Sequence, residues 1–116
     1  MTLLIVDDHR SFREMARRVL ELAGFDVIGE SVDGESALEA VRALHPDAVL
    51  LDVQLPGMDG FEVAACLSDA CGDGPAIVMT SSREGDDFGP LVGRCGACGF
   101  VPKADLSGAA IEALLG

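Results

Sequence analysis

Ala48-Val49-Leu50-Leu51-Asp52 is an unbroken apolar run that stops on a carboxylate. A strand with one wet face alternates apolar and polar residues, so a run without alternation reads as a strand covered on both faces, as in a parallel sheet. Upstream, Leu3-Leu4-Ile5-Val6 has the same form and runs straight into Asp7 and Asp8; downstream, Ala76-Ile77-Val78-Met79 runs into Thr80. These three runs are predicted to be central strands. Residues 26–30, around Val27 and Ile28, and Gly99 to Pro102, around Phe100 and Val101, are interrupted by Gly or Pro and suit the sheet edges.

Between the strands lie segments with one apolar stripe at helical spacing. Phe12, Ala16, Val19, Leu20 and Ala23 mark the first, and Ala37, Leu38, Val41 and Leu44 the second, with Pro46 beyond its end. A third helix is predicted from Asp59, where Glu62 completes a capping-box spacing. A short fourth is expected around Phe88, Leu91, Val92 and Cys95, opposed by Gly89, Pro90 and Gly93, since Pro inside a helix costs about 3 kcal/mol. The last carries Ile111, Leu114 and Leu115. Strict alternation of strand and helix predicts a doubly wound α/β fold of five parallel strands in the order 2-1-3-4-5 with five helices, a flavodoxin-like arrangement formed by residues 1–116 as a single domain. Ligands of such sheets bind beyond the carboxyl ends of the strands.

Composition narrows the function. The 116 residues are 49% hydrophobic with neither Trp nor Tyr, which suits a core of aliphatic side chains and a few Phe, and argues against disorder. A formal charge of −12 and the lack of a Lys/Arg cluster disfavour direct nucleic-acid binding. No apolar run approaches the ~20 residues of a membrane span, and the apolar start leads into acids instead of a small-residue cleavage site, so a soluble cytoplasmic protein is expected.

The residues that fall just after the predicted strands are Asp7 and Asp8, Asp52, Thr80 and Lys103. The predicted topology brings all of them to one rim. Two carboxylates about 5 Å apart at an effective dielectric near 20 repel by roughly 3 kcal/mol, and a third compounds the cost. Either one acid is protonated or a cation resides there, and hard oxygen donors suit Mg²⁺, which commonly takes one or two carboxylates plus a phosphate. A carboxylate in such a setting can serve as a nucleophile toward phosphorus, with Lys103 as counter-charge.

Asp7-Asp8, the run Leu51-Asp52-Val53-Gln54-Leu55-Pro56-Gly57-Met58-Asp59-Gly60, Thr80 and Gly99-Phe100-Val101-Pro102-Lys103 together resemble the receiver domains of two-component response regulators, over nearly the whole chain. The Asp-Asp-His start is similar to receivers of the subfamily that often carries a helix-turn-helix output domain; no such segment lies within these 116 residues, which is compatible with a longer parent regulator. The resemblance implies a phosphorylation-dependent switch in which Asp52 takes a phosphoryl group from a sensor histidine kinase or a histidine phosphotransfer protein. It implies Mg²⁺ (or Mn²⁺) held by Asp8, Asp52 and the main-chain carbonyl of Gln54, with Asp7 acting largely through water. Lys103 would pair with the phosphoryl oxygens, and Thr80 would donate its hydroxyl to them, freeing space for the ring of Phe100. The fourth helix, fifth strand and fifth helix would then present an altered surface to an output partner, a DNA-binding domain of the parent or a second copy in a phosphorylation-dependent dimer. The domain would catalyse its own phosphorylation and dephosphorylation without being a turnover enzyme.

Some positions depart from the family pattern. Phe100 lacks the hydroxyl of a Tyr. Ala104 follows Lys103 where many receivers have Pro, so a trans peptide is predicted. Gln54 and Ser82 hold the positions that, in the family, govern access of water to the phosphoryl group. Cys95-Gly96-Ala97-Cys98 has C-x-x-C spacing but precedes a strand instead of opening a helix after one, and Cys66 and Cys71 could complete a zinc site only if the two regions met. Two other readings therefore stand beside the leading one: a receiver-like module that binds a partner without phosphorylation, and a thiol oxidoreductase using Cys95 and Cys98. His9 and His45 are expected to face solvent.

Overall fold

The computed structural model describes residues 1–71, 75–81 and 97–115. Strand β1 (Thr2–Val6) leads to helix α1 (Arg10–Leu22), β2 (Asp26–Ser31), α2 (Gly34–Leu44), β3 (Ala48–Asp52), α3 (Gly60–Cys71) and β4 (Ala76–Ser81). Strand β5 (Gly99–Pro102), a 3₁₀ turn (Lys103–Asp105) and a C-terminal helix (Gly108–Leu115) complete the described chain. Every strand pair is parallel, and the order is β2-β1-β3-β4-β5, as the sequence predicts. The expected fourth helix and Ser82 lie outside the described residues, as do Cys95 and the side chain of Cys71.

Successive strand residues point to opposite faces of the sheet, which explains why the central runs are apolar throughout. Leu4, Val6, Val49, Leu51, Ile77 and Met79 pack with Ala37, Val41, Val63, Ala64 and Leu67 of α2 and α3. Their neighbours Leu3, Ile5, Ala48, Leu50, Val78 and Val101 face the other way and pack with Phe12, Ala16 and Leu20 of α1 and Ile111 of the C-terminal helix. One chain thus builds two cores, one on each side of the sheet. Among the described residues no helix is long and apolar enough to cross a membrane.

The connections are fixed by short-range polar bonds. Asp33 caps α2 by accepting from the Ser36 N–H at 2.8 Å, and Ser36 returns a bond in a capping box. His45 ends α2 in the left-handed region with φ of 49°, its N–H bonded to the Val41 carbonyl, and it is exposed as expected. Asp59 accepts from the Glu62 N–H at 2.9 Å, so the acceptor half of the predicted cap is in place. The peptide between Lys103 and Ala104 is trans, in line with the sequence.

Gly60 sits where α3 starts against the end of β3. Its N–H donates to the Val53 carbonyl at 2.7 Å, and a Cβ at this position would collide with the Asp52 carbonyl and lie 2.8 Å from Val53 Cα. Glycine therefore lets α3 close on the strand end that carries Asp52. Gly60→Ala is expected to lower stability by about 2–3 kcal/mol, measured by chemical denaturation.

Asp47, just before β3, accepts from the Thr2 N–H at 2.9 Å and the Thr2 hydroxyl at 3.0 Å. These bonds hold its carboxyl below the ordinary value of 3.8. The folded state thus binds fewer protons than the unfolded one as pH falls past that value, and the stabilisation, present in full above it, fades as pH drops through the folded pKa. Wild type is expected to lose its stability advantage over Asp47→Asn in that acid window, followed by denaturation at a series of pH values.

A carboxylate rim at the ends of the strands

The parallel register sets the candidate site. Asp52 is the last residue of β3 and is paired with Thr80 of β4, which is paired in turn with Val101 of β5. Asp7 follows β1 directly, and Lys103 follows β5. The residues named from sequence as strand-end groups therefore do converge on one edge of the sheet.

Asp7 is fully buried and Asp52 is 3% exposed, whereas Asp8 is exposed. The Lys103 ammonium lies between the two buried acids, with Nζ 2.7 Å from Asp7 Oδ2 and 3.2 Å from Asp52 Oδ2. The other Asp52 oxygen, Oδ1, accepts from the Gln54 N–H at 3.0 Å. Gln54 itself is exposed two residues beyond the strand. Thr80 is fully buried, and among the described residues its Oγ1 has no hydrogen-bond partner. Phe100 is half-buried on β5 and packs against the core formed with α2 and α3.

Burial pushes the Asp52 carboxyl up, opposed by the Gln54 N–H; the neighbouring Asp7 charge pushes it further, opposed by Lys103, and the net direction is upward. Burial pulls the Lys103 ammonium down, but its bond to Asp7 and the charges of Asp52 and Asp7 outweigh that, so its net shift is also upward. Asp7 and Asp52 thus share one lysine with Asp8 close by, and the rim keeps an excess of negative charge. One ligand atom from each of Asp7, Asp8, His9 and Asp52 can be chosen so that all lie within 4.8 Å of one another. Hard oxygen donors, surplus negative charge and an orphaned buried hydroxyl beside them fit a small divalent cation with a phosphate-like ligand.

Several contributors escape sequence reasoning. His9 is exposed as expected, yet its Nδ1 is 3.1 Å from Asp7 Oδ1 and 3.1 Å from Asp8 Oδ1, so it belongs to the rim and not merely to the solvent shell. Its place directly after the acidic pair was the available signal. Phe12 lies under Lys103, whose Nζ is 4.5 Å from the ring centroid, a cation–π contact that helps to hold the ammonium over the rim. Arg13 donates from Nη1 to the Asp7 carbonyl at 2.8 Å. For Phe12 and Arg13 no sequence signal exists, because each reads as part of an ordinary amphipathic helix. Cys66 and Cys98 are free and exposed, which brings no thiol to this rim.

The comparisons with known proteins agree with this geometry. Residues 3–113 match the response regulator receiver domain family. The chain is 35% identical over 113 residues to the response regulator GacA of Pseudomonas aeruginosa, covering 97% of this chain and 50% of GacA. It is 33% identical to the crystal structure of a LuxR-family two-component response regulator from Aurantimonas sp. SI85-9A1, with a TM-score of 0.89 over 98% of this chain and 84% of that one. The signal receiver domain of the response regulator NarL from Mycobacterium tuberculosis is also 33% identical, with a TM-score of 0.85 over 99% of this chain and 96% of that one. The chain spans about half the length of curated relatives it matches.

Because burial and Asp7 together raise the Asp52 pKa, the folded state holds a proton there that the unfolded state releases as pH rises above 3.8. The charge of Asp52 therefore weakens the metal-free fold at neutral pH. Asp52→Asn is expected to raise the melting midpoint of chelated protein by about 2–5 °C at neutral pH, with the gain vanishing at a pH below 3.8, as followed by calorimetry.

Proposed function

This chain belongs to the response regulator receiver domain family, and from that premise we propose that it is a phosphorylation-dependent switch whose phosphoacceptor is Asp52. Receiver domains of response regulators are the phosphoacceptor elements of two-component signalling. The observation that carries the assignment to Asp52 is its position: a nearly buried carboxylate at the carboxyl end of β3, with one oxygen on the Gln54 N–H and the other on the Lys103 ammonium.

In the proposed reaction a carboxylate oxygen of Asp52 forms a bond to the phosphorus of a phosphohistidine. The phosphorus–nitrogen bond breaks, and the imidazole leaves with its electron pair and takes up a proton. The donor is a sensor histidine kinase or a histidine phosphotransfer protein. Asp8 and Asp52, with the main-chain carbonyl of Gln54, would hold Mg²⁺ (or Mn²⁺) directly and Asp7 largely through water; the ion supplies positive charge to offset that of the phosphoryl oxygens when it is bound. Lys103 lies near Asp52 Oδ2 and neutralises a phosphoryl oxygen formed there. Thr80, with a buried hydroxyl that lacks a partner, gains an acceptor. Its inward movement gives the ring of Phe100 room to follow, which changes the surface beside β5 and the C-terminal helix. Attack of water on phosphorus breaks its bond to the Asp52 carboxyl oxygen, releases inorganic phosphate and a proton, and returns Asp52 as a carboxylate.

The output of that surface is a partner protein, a DNA-binding domain in a longer parent, or a second phosphorylated copy; the charge of −12 makes this domain a poor direct ligand for nucleic acid. Signalling of this kind takes place in the cytoplasm. A receiver-like module that acts without phosphorylation is the alternative, and it requires no divalent cation at the rim.

Incubation with a small-molecule phosphodonor and Mg²⁺ is expected to add one phosphoryl group by intact mass, and none in Asp52→Asn or with chelator. Thr80→Ala is expected to keep the phosphoryl group while losing most of the accompanying chemical-shift changes near Phe100. Failure of wild type to accept phosphoryl from both the small donor and a phosphorylated kinase would overturn this reading in favour of the phosphorylation-independent module.

A further inference from the structure

His9 follows the acidic pair, and its ring is turned back onto it. Nδ1 is 3.1 Å from Asp7 Oδ1 and 3.1 Å from Asp8 Oδ1, and the His9 N–H donates to the same Asp7 oxygen at 2.8 Å. The backbone turn that presents the imidazole is therefore tied to one of the carboxylates it faces. With metal–ligand bonds of about 2.1 Å, adjacent ligands of an octahedral ion lie about 3.0 Å apart. The 3.1 Å from Nδ1 to Asp8 Oδ1 is of hydrogen-bond length and equals such an edge, so an ion that replaces the shared proton needs little movement of the ring. The buried hydroxyl of Thr80, without a hydrogen-bond partner among the described residues and in register with Asp52, independently marks this rim as a place where a ligand is received.

We propose that His9 Nδ1 is a nitrogen ligand at this rim, so that the site favours late first-row divalent ions such as Co²⁺, Ni²⁺ and Zn²⁺ more than a set of oxygens alone would. The inference rests on the reading of Asp7, Asp8 and Asp52 as the cation's carboxylates, and adds to it one residue and one selectivity. Imidazole binds borderline metals far better than Mg²⁺, which prefers oxygen and water. Coordination requires Nδ1 to be free of a proton, with the proton carried on Nε2. The His9 side chain is 65% exposed, so that N–H has water to donate to.

The test is calorimetric titration of the full chain with Co²⁺ and with Mg²⁺ at one fixed pH, for wild type, His9→Ala and His9→Gln, together with pulsed EPR of the Mn²⁺-loaded protein. Because His9 lies on the surface, both variants are expected to fold as wild type does. The proposal predicts that either substitution weakens Co²⁺ by about tenfold or more while changing Mg²⁺ by less than about twofold, and that a directly bound ¹⁴N coupling seen in wild type disappears. Unchanged Co²⁺ affinity and no nitrogen coupling, with Mg²⁺ still bound, would overturn the role of His9 alone. Failure of wild type to bind either ion would overturn the carboxylate reading as well.

Discussion

Everything at the functional edge depends on how two buried carboxylates, with Asp8 close by, are held against one ammonium. Asp7 and Asp52 are nearly withdrawn from water, and Lys103 Nζ sits within 3.2 Å of both. Like charges held this close repel by several kcal/mol unless something offsets them. One lysine offsets part of that and leaves a surplus. A rim under such tension favours a cation.

The surroundings hold the lysine and the acids at those distances. Lys103 opens a 3₁₀ turn immediately after β5 and passes over the Phe12 ring, so α1 supports the far end of a side chain that β5 supplies. Arg13 of α1 bonds the Asp7 carbonyl, and with Arg17 it also pairs with Glu30 of β2. These bonds fix the start of α1 against the sheet edge near Asp7. On the other side, glycine at position 60 lets α3 approach the backbone of Asp52 closely. Neither support touches both charges, yet each sets where one of them stands.

Lys103 also stands close to elements of both faces of the sheet. It is rooted in β5, whose Phe100 packs with the α2 and α3 core, and it contacts Phe12, which belongs to the core shared by α1 and the C-terminal helix. A change in charge at Asp52 therefore acts on a side chain that also rests on the Phe12 ring of one core.

Much of this was legible in the linear sequence. Residues 3–6, 48–51 and 76–79 lack alternation because both faces of their strands are buried, and that physical fact alone separates central parallel strands from the Gly- and Pro-interrupted edges. With the strands placed, Asp7, Asp52, Thr80 and Lys103 had to fall at one end of the sheet. What the chain order could not express was side-chain direction across elements. The Phe12 ring under Lys103, the turn of His9 toward Asp7 and Asp8, the Arg13 bond to the Asp7 carbonyl and the absence of space for a Cβ at Gly60 each involve groups brought together by packing. Periodicity records which face of an element is buried; only the tertiary structure decides which atoms meet there, because those contacts depend on register and helix placement that no local pattern encodes.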